Sequence, residues 1–274
     1  MQRSLKPFGS SDRHLESPVF FKLALSALLL ASALGASARA MPCVDVALVL
    51  AIDASSSIDL HEFNFQKRAT AEALRDPNVV AAIQQVGGVA VAAVIWGDRS
   101  YGPQIIDWTV INSAVEADHF ARHLESRSRE TAGNTDLGAG IWAALDLFET
   151  STLCARRLVI DISADGKETL YPRRRIGPSM QNARLRAKAM GVTINGFAMT
   201  ADARDLGDYF ARSIISGTSA FVIEVSDQNF SSFVDGMKRK LLREIRPPEF
   251  LAQTLPMTFD LSRGPTASEP LDDR

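Results

Sequence analysis

Asp53, Ser55 and Ser57 stand at two-residue intervals directly after an apolar run, and each carries a side-chain oxygen. A carboxylate followed by two hydroxyls at that spacing offers three hard donors to one point, a set suited to Mg²⁺, Mn²⁺ or Ca²⁺ rather than to a soft metal. The same residue types also cap helices, so the competing role for this stretch is the amino-terminal cap of the helix that follows. Other chemistries find less support. Asp53-Ala54-Ser55 lacks the second aspartate of a phosphoaspartate hydrolase, and the chain has neither a Gly-x-Ser-x-Gly elbow nor a Walker-type loop. His119 and His123 share one helical face at i, i+4, but no glutamate stands where a metal-dependent hydrolase needs it, so a solvated face is the expectation.

The element that positions the first three residues is the run Val44 to Ile52, almost entirely apolar and rich in β-branched residues. Such a run reads as a strand covered on both faces, as in the middle of a parallel sheet. Open α/β sheets place their ligand crevice at the carboxyl ends of strands, where strand order reverses. Asp53 ends the run and therefore falls at such an end.

Asp53-x-Ser55-x-Ser57 resembles the first element of the metal-ion-dependent adhesion site of von Willebrand factor A-type domains. The resemblance calls for a threonine from a second loop and an aspartate from a third, and both occur in order. Gly133-Asn134-Thr135-Asp136-Leu137-Gly138 supplies Thr135, and Ile162-Ser163-Ala164-Asp165-Gly166 supplies Asp165. The segment Arg157 to Gly166 is most similar to a bacterial exported branch of unknown function, DUF1194. The likeness spans roughly Val44 to Ile245. It implies a doubly wound, mostly parallel six-stranded sheet with helices on both faces, and a cation, Mg²⁺ or else Mn²⁺ or Ca²⁺, held by Asp53, Ser55, Ser57, Thr135 and Asp165. It also implies that one coordination position serves an acidic residue of a protein partner. The family often has glycine where Asn134 stands, and asparagine is a residue that accepts left-handed backbone.

The fold implied by the resemblance also bears on Cys43 and Cys154, the only cysteines. Cys43 lies 10 residues before Asp53 and Cys154 lies 11 before Asp165. If both aspartates end neighbouring parallel strands, the sulfurs meet near the opposite ends, and a Cys43–Cys154 disulfide is expected.

The 274 residues are 46% hydrophobic with a net charge of −2, so no global basic field points to nucleic acid or an anionic membrane. Residues 1–40 read as a signal peptide. Basic residues precede an apolar stretch from Leu23 to Leu34, and Ala38-Arg39-Ala40 fits a cleavage site. The competing reading is an uncleaved anchor over Val19 to Ala38. Export places the chain in the periplasm or the medium, where disulfides persist. Residues 41–246 read as the domain, and the prolines from Pro247 onward mark 247–274 as an irregular tail.

Within the domain, helical spacing covers Leu60 to Arg75, Ser113 to Ser126, Leu137 to Phe148, Ser179 to Met190, Asp205 to Ser213 and Asn229 to Ile245. Ser113 with Glu116 forms the pattern of a capping box. Strands are expected at Val86 to Trp96, Gln104 to Val110 (antiparallel, at the edge), Arg157 to Ser163, Val192 to Met199 and Phe221 to Val225. Asp136 is expected to act as a helix-start charge. Asp161, inside an apolar strand and about 13 Å from Asp165 along it, is expected to pair with a basic or amide group. Arg173, Arg174 and Arg175 follow the Asp165 strand and could steer an acidic partner toward the cation. The function that fits is an exported binding module, not an enzyme. The alternatives are an exported hydrolase using the same cation to activate water, or a scaffold whose site is degenerate.

Overall fold

The computed structural model describes residues 43–169, 178–226 and 229–246. The expected signal peptide, 1–40, and the expected irregular tail, 247–274, lie outside these residues. Six strands form one sheet: β1 (Val44–Asp53), β2 (Val89–Trp96), β3 (Gln104–Ile111), β4 (Ala155–Ala164), β5 (Val192–Met199) and β6 (Val222–Val225). Their spatial order is β3-β2-β1-β4-β5-β6, with every neighbour parallel except the edge pair β2 and β3. The chain leaves β1 toward β2 and β3, then returns to β4 on the other side. The reversal of strand order thus falls between β1 and β4, and their carboxyl ends flank the crevice expected there.

Helices cover both faces. α1 (Leu60–Arg75), α2 (Pro77–Gln85), α3 (Ala114–Glu125) and α7 (Phe230–Ile245) share one side, while α4 (Leu137–Thr150), α5 (Met180–Ala189) and the short α6 (Leu206–Tyr209) share the other. The alternation along β1 shows why both sides must be covered. Val46, Leu48, Leu50 and Ile52 enter the first core layer, whereas Val44, Ala47, Val49 and Ala51 enter the second. A strand with no polar face is stable only between two apolar layers, which makes the architecture a doubly wound α/β fold.

Several elements depart from their expected form. α2 was not expected; Asp76 caps it through bonds from the Asn78 and Val79 amides, and Pro77 opens it, where the missing N–H costs nothing. The strand expected from Val86 begins only at Val89 because Gly87 and Gly88 turn the chain with positive φ. The helix expected over Asp205 to Ser213 is a single turn continued as a wider π turn over Phe210–Ile214. Ser113 caps α3 as expected, but Glu116 accepts from the Asn112 amide instead of closing the box on Ser113. A reciprocal box forms at α1, where Asp59 and Glu62 satisfy each other's amides.

Cys43 and Cys154 form a disulfide with their Cα atoms 4.4 Å apart. The register explains the pairing: Val44 lies opposite Ala155 and Ile52 opposite Ser163, so the cysteines directly precede a matched pair. Asp165 stands one residue beyond the position matched to Asp53, which accounts for the one-residue offset in spacing.

Asp161 sits in the sheet interior against α7. Lys240 Nζ lies 2.5 Å from Asp161 Oδ1 and 2.6 Å from Glu244 Oε1, and the Asn195 amide donates to the same Glu244 oxygen at 3.0 Å. This buried cluster ties the carboxyl-terminal helix to β4 and β5. It answers the need for a partner that an interior carboxylate creates.

Candidate metal-binding site

Backbone geometry at the end of β1 aims the first loop. Ala54 continues the sheet by donating to Trp96 O at 2.7 Å, after which the Ser55 amide bonds Asp53 Oδ1 at 2.7 Å and Ile58 bonds back to Ser55 O at 3.1 Å. The helix that follows is capped by Asp59, not by Asp53 or the serines. The capping role weighed for that motif is therefore taken by another residue, and its oxygens face elsewhere.

They face the other two loops. Thr135 Oγ1 donates to Ser55 Oγ at 3.3 Å, Ser55 Oγ lies 3.1 Å from Ser57 Oγ, and Ser57 Oγ donates to Asp165 Oδ1 at 2.9 Å. Four side chains from three separate loops thus form one continuous chain of oxygens, with Asp53 adjoining it through Ser55. Asp53, Ser55 and Thr135 are buried, Asp165 is partly so, and Ser57 is exposed. The cluster is closed beneath and open toward Ser57.

The electrostatics of the cluster bear on the cation its residue types imply. Asp53 is fully buried, and its Oδ2 has no hydrogen-bond partner. Burial pushes its carboxyl up to about 7 against the opposing Ser55 amide, and the charge on Asp165 adds to the rise. Burial also raises Asp165, opposed by the Ser57 hydroxyl, with Glu62 and Asp202 adding repulsion. An orphaned buried carboxylate oxygen beside hydroxyls and a second carboxylate fits a hard cation, which would stabilise both charged forms. The five residues fit the group their types implied. Among the described residues no cluster of three or more His, Cys, Asp or Glu side chains could hold a metal ion, and this set, with two carboxylates and three hydroxyls, is of a different composition.

Residues that the sequence reading did not identify hold the loops together. Arg129 donates to Ile58 O at 2.5 Å, Ser55 O at 3.0 Å and Thr131 O at 3.1 Å, clamping the first loop to the second. Ser56, the spacer within the motif, exchanges bonds with Gly133, whose φ of 83° only glycine adopts readily. That glycine, and not Asn134, takes the left-handed turn. Asn134 instead bonds Asp98, whose carboxyl burial would raise but whose bonds from Ser100 and Asn134 hold it down at about 2. Thr169 completes the frame by accepting from the Thr135 amide at 2.9 Å while its own amide bonds Thr135 O at 3.0 Å.

Asp136 caps α4 by accepting from Ala139 and is paired with Arg99. It is a helix-start charge, as expected, with a buried ion pair that its position alone did not disclose. His123 lies 2.9 Å from an Arg127 nitrogen on an exposed face. Arg173, Arg174 and Arg175 lie outside the described residues.

A family profile described as "Protein of unknown function (DUF1194)" matches residues 43–249. No curated protein sequence matches the chain. Among solved structures, the fold is similar to the pilus adhesin SpaC of Lactobacillus rhamnosus GG at 14% identity and a TM-score of 0.53, over 75% of this chain and 31% of the adhesin. It is also similar to proximal thread matrix protein 1 of the mussel byssus (17% identity, TM-score 0.49, 74% of this chain and 47% of that one). A third likeness is to the vWF domain of the type V pili tip protein Mfa5 of Porphyromonas gingivalis (14% identity, TM-score 0.48, 76% and 98%). The chain spans about a third of the length of the adhesin and about half that of the mussel protein. At these identities the likeness concerns the fold.

Proposed function

The chain belongs to the DUF1194 family, and on that premise we propose that it is an exported binding module of the von Willebrand factor A type that captures a protein partner through a divalent cation. Asp53, Ser55, Ser57, Thr135 and Asp165 would hold the ion, with Mg²⁺ as first choice and Mn²⁺ or Ca²⁺ as substitutes. A bound cation of this kind supplies an electrophilic position for a carboxylate of the partner.

The chain's own residues divide the remaining work. Asp53 sits deepest and brings charge without exposure to solvent. Ser55 and Thr135 are neutral oxygens fixed by backbone contacts, so they leave most of the positive charge unquenched. Ser57 and Asp165 border the open side, where an incoming carboxylate would arrive. Arg173, Arg174 and Arg175 would draw acidic partners toward this edge. The Cys43–Cys154 disulfide supports a periplasmic or secreted location, since such bonds persist in oxidising compartments. Among the described residues no helix is long and apolar enough to cross a membrane.

The observation that carries the reading is the unbroken run of oxygens from Thr135 to Asp165 beside the unpartnered Asp53 Oδ2. Calorimetric titration of the purified protein with Mg²⁺, Mn²⁺ and Ca²⁺ tests it. Saturable one-site binding that disappears in Asp53→Ala is expected; no binding of any of the three ions would overturn the proposal.

A further inference from the structure

Next to Asp165, the start of α1, the carboxyl ends of β5 and β6 and the start of α7 enclose a cavity of about 110 Å³. Its floor is apolar, formed by Ile58, Phe65, Met199, Val225 and Phe233. Its mouth is acidic, with Glu62 and Asp202 beside Asp165, close enough that both charges act on the Asp165 carboxyl. Gln66 lines the same cavity. Only 2% of its surface is exposed, and neither atom of its amide has a hydrogen-bond partner.

These features define a chemistry. A void near the size that accepts a benzene ring, on the order of 150 Å³, holds a short alkyl chain. Carboxylates at its entrance select a cation at the end of that chain. Lysine and arginine side chains have this construction, with an apolar stem that packs on apolar surface and a charged head that stays near water. The buried amide of Gln66 has an acceptor and two donors to offer. It also borders a neighbouring void of about 10 Å³, room for roughly one water, which can satisfy only part of that capacity.

We propose that this cavity is a second recognition subsite, which takes a lysine or arginine side chain of the partner whose carboxylate is held at the cation site. The inference rests on the cation-site reading for the identity of the occupant, because Asp165 borders both sites. The partner motif is then an acidic and a basic residue close together. With the charge of Asp165 taken up by the cation, an acidic group entering the cavity would still meet Glu62 and Asp202, and a wholly apolar group would leave those two carboxylates uncompensated at its edge.

Fragments test the subsite without the unidentified partner. Purified protein carrying ¹³C-methyl methionine, with the Met199 signal assigned through Met199→Leu, is titrated at pH 8. The probes are n-butylguanidinium and 1-butanol. The cationic fragment should shift the Met199 methyl saturably and bind about fivefold more tightly than the alcohol, the size of effect a partly exposed ion pair gives. Asp202→Asn, at an exposed position, should remove most of that preference and leave butanol binding unchanged. Equal binding of the two fragments, absence of a Met199 shift, or a preference indifferent to Asp202→Asn would each overturn the subsite. Repeating the titrations in EDTA and in Mg²⁺ separates the two claims. Fragment binding without any Mg²⁺ binding refutes the cation site and so removes the predicted carboxylate neighbour, while Mg²⁺ binding without fragment binding refutes the subsite alone.

Discussion

Ser57 Oγ donates a hydrogen bond to Asp165 Oδ1 at 2.9 Å, although 108 residues separate the two in the chain. The contact joins the loop after β1 to the loop after β4, at the point where the order of the sheet reverses. On the other side of the same motif, Ser55 receives Thr135 from the second loop. A motif of five residues therefore serves as the meeting point of all three loops.

The first consequence concerns charge at Asp165. Asp165→Asn keeps the shape and an oxygen acceptor for Ser57 but removes the negative charge. Mg²⁺ affinity should fall at least about tenfold, equivalent to about 1.4 kcal/mol. Thr135→Val, which removes a neutral donor and preserves volume, should weaken binding as well, by a smaller factor. Calorimetry on both variants checks the order, and unchanged affinity in Asp165→Asn would exclude it as a ligand.

Arg129 is expected to act through the loop it clamps. Arg129→Ala strands the Ile58 carbonyl and leaves Ser55 O with the Ile58 amide alone, and a partly buried acceptor left without a donor costs about 1–3 kcal/mol. Both thermal stability and cation affinity should drop. Arg129→Lys retains a charge near Asp53 but not the fork that reaches three carbonyls, so it should recover only part of the loss. Full recovery by lysine would mean that charge alone, and not the clamp, matters.

How much of this was legible in the sequence depended on the range over which a feature is encoded. Asp53, Ser55 and Ser57 stand at two-residue intervals at one strand end, so their spacing disclosed their chemistry, while Thr135 and Asp165 were found only through the resemblance and their order. The cysteine pairing followed from counting back along two strands that the resemblance implied to be neighbours. Arg129, Ser56, Gly133 and Thr169 were missed because their roles lie in contacts between loops, which no local pattern records. Asp161 shows the boundary well. An interior carboxylate demands a partner, but nothing in the spacing singles out Lys240, 79 residues later, from the other basic residues on the last helix. α2 escaped notice because its Asp-Pro opening reads equally as the end of the preceding helix.

The disulfide and the cation site should prove energetically independent. Cys43 and Asp53 stand at opposite ends of β1, about 33 Å apart at 3.3 Å per residue. The bridge closes a sequence separation of 111 residues. Replacing both cysteines by serine should therefore cost about 2–5 kcal/mol of stability while changing Mg²⁺ affinity less than about twofold. Urea unfolding and calorimetry on the same variant measure both, and a parallel loss of affinity would reveal coupling along the strand.

The buried cluster under α7 should leave a signature in the dependence of stability on pH. Asp161 from β4, Lys240 and Glu244 from α7 and the Asn195 amide from β5 face one another with two carboxyls for one ammonium. Burial pushes Glu244 up to about 7 from its ordinary value of 4.5, with Lys240 and Asn195 opposing and Asp161 adding to the rise. Below 4.5 the group is protonated in both the folded and unfolded chain. Between 4.5 and 7 the folded chain keeps a proton that the unfolded chain has released, so stability from this group is lost as pH rises through that window. Glu244→Gln cannot titrate and still fills the same space. Urea midpoints measured in EDTA from pH 4.5 to 8 should fall more steeply for the natural protein than for Glu244→Gln, and the variant should gain relative stability toward pH 8. Asp53 titrates in the same direction but is present in both proteins, so it cancels in the difference. Identical slopes would mean that Glu244 stays ionised when folded and that Lys240 neutralises it in preference to Asp161.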